Sequence, residues 1–202
     1  MEALEKLFGS SARVKILKFF LFNVGDVFEK KEISSRTKVS SRILQKELNI
    51  LEKIGLIKKK SFFKTKESRN GKIQKIRTRG YDTVIEHKLF VPLQTLLIKN
   101  SPMTSNSLVN RLSRHGKLKL VIAAGVFIQD PDSRIDLLIV GDDIKENSLK
   151  NTISILESEI GKQLRYTVLT VQDFKYRIGV YDRLVRDILD YPHQVFLDRI
   201  GV

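Results

Sequence analysis

Apolar residues recur at helical spacing through the first quarter of the chain. Val14, Leu17 and Leu21 lie at i, i+3 and i+7, flanked by Ile16 and Phe20. They predict a helix from Ser10 or Ser11 to about Phe22. Asn23-Val-Gly-Asp26 breaks it. Phe28 reads as a minimal strand, and Lys31–Thr37 as a second helix with Ile33 inward. Leu44, Leu48, Leu51 and Ile54 then recur at four, three and three, which puts them on one face of a longer helix. Ser40 stands where its hydroxyl can cap that helix, and Gly55 where a positive φ can end it. Ile57–Thr65 and Ile73–Asp82 read as strands, and Asn70-Gly71 between them is a hairpin-turn signal. Phe62 and Phe63 are adjacent, so their rings point to opposite faces, one to the core and one out beside the lysines.

Downstream the pattern loosens and then changes. Tyr81–Asn100 reads as a hinge, with Phe90, Leu93, Leu96 and Leu97 at helical spacing and Pro92 near the start, where proline is tolerated. Asn100–Ser105 is the most linker-like stretch, and Ser105–His115 suits another helix. From Lys117 the expected order is strand (Leu118–Ile128), strand (Arg134–Gly141), helix (Ser148–Ile160) and strand (Gln163–Thr170). Thr170 then caps a helix holding Asp173 and Phe174, Tyr181–Leu189 forms the last helix, and Gln194–Leu197 a terminal strand. Strands alternating with helices predict an α/β domain with a mixed sheet.

Short helix, tight turn, longer helix and hairpin is the order of a winged helix-turn-helix, a module that lays one helix in the DNA major groove. The expected fold class is therefore α+β. Residues 1–88 would form the winged helix-turn-helix, 89–116 connecting helices, and 117–202 a small α/β domain.

Charge sharpens the first of these. The chain carries a formal net charge of +14. Residues 1–82 hold 21 lysines and arginines against 9 acids, a net +12, so the basic character belongs to the N-terminal part. The helix face opposite the leucines carries Arg42, Gln45, Lys46 and Asn49, preceded by Ser40 and Ser41. Such side chains donate to phosphates and read base edges. The hairpin segment carries Lys58, Lys59, Lys60, Lys64, Lys66, Arg69, Lys72, Lys75, Arg77 and Arg79 against the single acid Glu67. Lysines also blunt exposed sheet edges, but a few suffice for that. This density fits a phosphate-binding surface better.

Other chemistry is thin. There are no cysteines, hence no disulfides or thiolate metal sites. His87, His115 and His193 lie far apart, without ligand spacing. The first residues do not read as a signal peptide, and the longest apolar run, Val121–Ile128, is too short for a membrane span. A cytoplasmic protein with no membrane contact and no cofactor is expected.

One stretch does resemble an enzyme family. Ala124-Gly125-Val126-Phe127, followed by Asp132-Ser133-Arg134-Ile135-Asp136-Leu137-Leu138, resembles the minimal nucleotidyltransferases of the DNA polymerase β-like superfamily. That family's signature is a Gly-Ser turn followed by two carboxylates at i and i+2 on a strand, which hold divalent metals. Here Gly125 matches, Val126 replaces the serine, Arg134 replaces the first carboxylate, and Asp136 alone remains. The strand Leu164–Thr170 offers no third carboxylate. A lone Asp136 beside Arg134 makes a poor metal site and a plausible ion pair. Asp130, Asp132, Asp142 and Asp143 would fall in turns. No catalytic residue is assigned, and catalysis is not expected.

Taken with the opening Leu7-Phe8-Gly9-Ser10 … Arg13-Val14-Lys15-Ile16-Leu17, with Leu51–Ile57 and with the close at Phe196–Val202, the chain resembles a prokaryotic group that fuses an arsenical-repressor-like winged helix to a nucleotidyltransferase-like domain. The resemblance implies a homodimeric transcription regulator on double-stranded DNA, whose C-terminal domain senses or assembles. A nucleotide or protein effector there, or a DNA-targeted or antitoxin-type nucleotidyltransferase using Asp136, are the alternatives.

Overall fold

The computed structural model describes residues 2–67, 73–99 and 104–202. It divides into two compact units, Met1–Ser101 with Leu156–Lys162, and Pro102–Ile155 with Gln163–Val202. The fold is mixed α and β, and its larger sheet is mixed.

The first unit opens with α1 (Glu2–Phe8), which the hydrophobic spacing did not announce: it is only seven residues long, and Gly9 separates it from the next helix. α2 (Ser11–Phe22) is capped by Ser10, whose Oγ accepts from the Arg13 N–H at 3.2 Å. α3 (Lys30–Thr37) turns through Lys38, at φ 57°, into α4 (Ser41–Lys53). β1 (Ile57–Glu67) and β2 (Ile73–Thr83) pair antiparallel from Ile57↔Thr83 to Glu67↔Ile73. Phe28 forms the expected minimal strand, an isolated bridge to Tyr81. Asn70-Gly71 lies outside the described residues.

Ile16, Phe19 and Phe20 of α2, Ile33 of α3, and Leu44, Leu48 and Leu51 of α4 are buried in one core with Ile57 and Tyr81. Phe90 and Leu97 complete it, from α5 (Phe90–Gln94) and the π-helical turn after it. Ile54 departs from expectation and is 46% exposed. A helix advances about 100° per residue, so two successive steps of three swing Ile54 well away from Leu44. Ser40 does occupy the cap position of α4, but its hydroxyl makes no capping bond. Gly55, at φ +80°, ends the helix as its position predicts.

The second unit is a four-stranded sheet in the order β5-β4-β3-β6. β3 (Lys117–Ala123) pairs antiparallel with β4 (Leu137–Asp142) and β6 (Gln194–Asp198), while β5 (Tyr166–Leu169) runs parallel to β4. Around it come α6 (Ser105–Leu112), α7 (Glu146–Ile160), α8 (Val171–Gly179) and α9 (Arg183–Leu189). α7 begins in this unit, and its last turn counts with the first. Alternate strand residues share a face. Leu120 and Ile122 of β3 and Leu138 and Val140 of β4 form one buried layer with Phe174, Val185 and Ile188 of α8 and α9.

Two strands are shorter than the apolar runs that predicted them. The run through Ile128 stops being strand at Ala123, because the chain turns at Gly125 into a 3₁₀ turn over Gly125–Phe127. The run from Arg134 becomes strand only at Leu137, so Arg134 and Asp136 precede β4. Among the described residues, no helix is long and apolar enough to cross a membrane.

Thr170 caps α8 as expected, its Oγ1 accepting from the Asp173 N–H at 3.0 Å and donating to the Asp173 carboxylate at 2.7 Å. Thr170→Ala should cost about 1 kcal/mol in urea denaturation of the intact chain. A loss near zero would show that the cap does not matter.

Candidate functional site

Two places carry the residues singled out by sequence. The first is α4 with the β1–β2 hairpin. α4 is held against α2 by an ion pair, Arg13 Nε to Glu47 Oε2 at 2.8 Å, with Arg13 Nη1 also donating to the Phe8 carbonyl at 3.1 Å. Glu47 is buried beside Leu44, Leu48 and Leu51. The helix therefore turns its other side outward. Ser41, Arg42, Lys46 and Asn49 are exposed and Gln45 is half-buried. Gln45 Nε2 donates to Asn49 Oδ1 at 2.7 Å, so these two amides form a joined pair one turn apart. Arg42 and Lys46 make no ion pair among the described residues.

The hairpin's cations fall into two sets. Lys59, Lys60 and Lys64 are tied to carboxylates. Lys59 Nζ lies 2.8 Å from Glu52, Lys60 Nζ 2.8 Å from Asp82, and Lys64 Nζ 3.5 Å from Glu29. Hydrogen bonding to Glu52 raises the Lys59 ammonium above its ordinary pKa. Lys58, Lys75, Arg77 and Arg79 carry no such partner among the described residues. Arg69 and Lys72 lie outside the described residues, as does the Lys66 side chain. Phe63 is the outward ring of the adjacent pair, at 70% exposed, and Phe62 is half-buried.

Counting charge in a segment missed the carboxylates that come from elsewhere. Glu29 precedes α3, Glu52 lies in the last turn of α4, and Asp82 faces Lys60 at a diagonal across the hairpin. Only the register of the strands, which pairs Lys58 with Asp82 and Lys60 with Gly80, places Asp82 there.

The second place is the turn at Gly125. Asp136 is fully buried. The Val126 N–H donates to its Oδ1 at 3.0 Å, and the Arg165 N–H to its Oδ2 at 2.9 Å. The Arg165 guanidinium completes the set, Nε to Oδ2 at 3.1 Å and Nη2 to Oδ1 at 3.3 Å. Gly125 sits at φ +51°, and a Cβ there would collide with Asp136 Oδ1. The expected Asp136–Arg134 pair is thus corrected. Arg134 Nη1 instead meets Asp187 Oδ2 at 3.0 Å, because Arg134 lies before the strand and turns outward. Arg165 is the residue the sequence did not flag. It immediately precedes β5, which pairs with β4 only through long-range sheet topology, and no local spacing points to it.

Both oxygens of Asp136 are therefore engaged by four donors, and the turn spends a backbone N–H on that carboxylate. The other aspartates considered as ligands are scattered. Asp130 accepts from the Asp132 N–H, Asp143 pairs with Lys117, and Asp142 closes β4 rather than lying in a turn. His115 is bracketed by Ser148 Oγ at 2.9 Å and Thr152 Oγ1 at 2.7 Å. Among the described residues, no three of His, Cys, Asp and Glu come together as a metal-binding group.

Comparison with protein-family models, curated proteins and solved structures finds no match to this chain.

Proposed function

We propose that the first unit is a winged helix-turn-helix that binds double-stranded DNA sequence-specifically, and that the protein is a transcription regulator acting as a homodimer. α3 and α4 are the helix-turn-helix and β1–β2 the wing. α4 enters the major groove, and the wing grips the flanking backbone. The observation that carries the reading is a set of exposed donors, on α4 and on one face of the hairpin, that make no ion pair among the described residues. Arg42, Lys46 and Asn49 stand exposed on α4, and Lys75, Arg77 and Arg79 stand unpaired on one face of the hairpin after it, among the described residues. Edge protection alone does not ask for arginines, and Arg77 and Arg79 have the fork geometry that suits phosphate.

The second unit, on this reading, is a nucleotidyltransferase-like domain without catalysis. Its one remaining carboxylate is used as a structural anchor, which supports that assignment. The dimer reads two half-sites about one helical turn apart.

Base readout and phosphate grip separate experimentally. Arg42→Ala and Asn49→Ala should each cost about 1–3 kcal/mol on the preferred duplex and little on unrelated duplex. Fluorescence anisotropy on both duplexes measures the difference. Equal losses on the two would remove α4 from base readout.

A further inference from the structure

The two faces of the hairpin differ in a way that assigns their roles. The register pairs Phe63 with Arg77, Thr65 with Lys75 and Ser61 with Arg79. Paired residues, and alternate residues along each strand, share a face. Phe63, Lys75, Arg77 and Arg79 therefore lie on one face. At its base that face carries Ile57 and Tyr81, buried in the core, and Thr83, whose Oγ1 donates to the Phe20 carbonyl at 3.1 Å. Lys59, on the same face, reaches Glu52 of α4. So this is the side of the hairpin on which α4 lies, extended outward past the helices. The opposite face carries Lys58, Lys60 and Lys64, and there Asp82 and Glu29 neutralise two of the three.

We infer that the hairpin meets DNA with the α4-side face only, and that Phe63 is the apolar centre of that contact. The inference rests on the DNA-binding reading above. The occupant is the duplex backbone. Lys75, Arg77 and Arg79 take phosphate oxygens, and the Phe63 ring covers the apolar face of the deoxyribose between them. Charge complementarity selects this occupant. Three cations unpaired among the described residues surround a ring that is 70% exposed; of the acids on that face, Glu52 is already held by Lys59, and Glu67 falls at the far end of the strand, two pairs beyond Phe63. A protein partner would need acids to match the cations. A duplex supplies phosphates at regular spacing with an apolar sugar between each pair.

Ring and cations make separable predictions. A neutral ring adds affinity without releasing counterions, whereas each phosphate contact adds about 0.9 to the slope of log K against log salt. The test uses the full chain and its preferred duplex across a salt series. Lys75→Ala/Arg77→Ala/Arg79→Ala should lower the slope by about 2.7. Lys58→Ala/Lys64→Ala, on the other face, should lower it by less than about 0.5. Phe63→Ala should weaken binding about tenfold with the slope unchanged, because roughly 60 Å² of apolar surface is no longer covered. Phe63→Leu should recover most of that affinity. Phe63 is too exposed for its removal to unfold the hairpin, and circular dichroism checks this. An equal slope change from the two lysine-bearing faces, or unchanged affinity for Phe63→Ala, overturns the assignment while leaving DNA binding intact. A change of sedimentation mass in Phe63→Ala puts the ring at a protein contact and also overturns it. Absence of duplex binding by the unaltered protein overturns both this inference and the reading beneath it.

Discussion

Asp136→Ala should destabilise the second unit by about 3 kcal/mol, from two backbone N–H groups and a guanidinium that lose their acceptor. The carboxylate is fully buried and receives Val126 N–H at 3.0 Å, Arg165 N–H at 2.9 Å and two guanidinium contacts. Removing a buried acceptor leaves its donors desolvated and unpaired, at about 1–3 kcal/mol each. The Arg165 side chain is 46% exposed and can rehydrate, so most of the cost falls on the two backbone donors. Gly125→Ala should act in the same direction through the same group, because the new Cβ meets Asp136 Oδ1 and the backbone is held at positive φ. Urea denaturation of the intact chain, followed by far-UV circular dichroism, reads both. A loss under about 1 kcal/mol for Asp136→Ala would mean the carboxylate is not the anchor that its four donors imply.

Arg13→Ala is the counterpart in the first unit, with an expected loss of about 3 kcal/mol. It leaves Glu47 buried with its 2.8 Å partner gone. Arg13 is itself about one-third exposed, so the loss should fall at the lower end for a broken buried pair. The double replacement Arg13→Met/Glu47→Met tests the cause. Exchanging a buried pair for apolar groups of similar volume is often neutral, so the double variant should regain most of the stability. If it is no more stable than Arg13→Ala, the loss comes from packing of the arginine stem rather than from the stranded carboxylate. The pair also ties α4 to α2. The same single variant should therefore blur discrimination between duplexes.

The helical part of the first unit was readable because its signals are local. Val14, Leu17 and Leu21 mark α2, Leu44, Leu48 and Leu51 mark α4, and Gly55 stops it. Phe28 was readable as a minimal strand from the short apolar pair Val27-Phe28 between Asp26 and Glu29. Ends of strands were less readable. An apolar run through Ile128 continues past the point where Gly125 turns the chain, and hydrophobicity does not register a change of φ. What escaped most was pairing across distance. Arg165 is nearly thirty residues from Asp136 and meets it because β5 runs parallel to β4. The partners Glu29, Glu52 and Asp82 divide the hairpin's cations into held and free sets, a division that a count of charges along the segment hides.

Duplex binding by α4 and the wing is the central claim. The most direct test incubates the intact chain with a pool of random duplexes, sequences those retained, and follows the best through a salt series. One motif should be enriched, bound at least about a thousandfold more tightly than random duplex and losing affinity steeply as salt rises. No enriched motif, or affinity that does not change with salt, would contradict the claim.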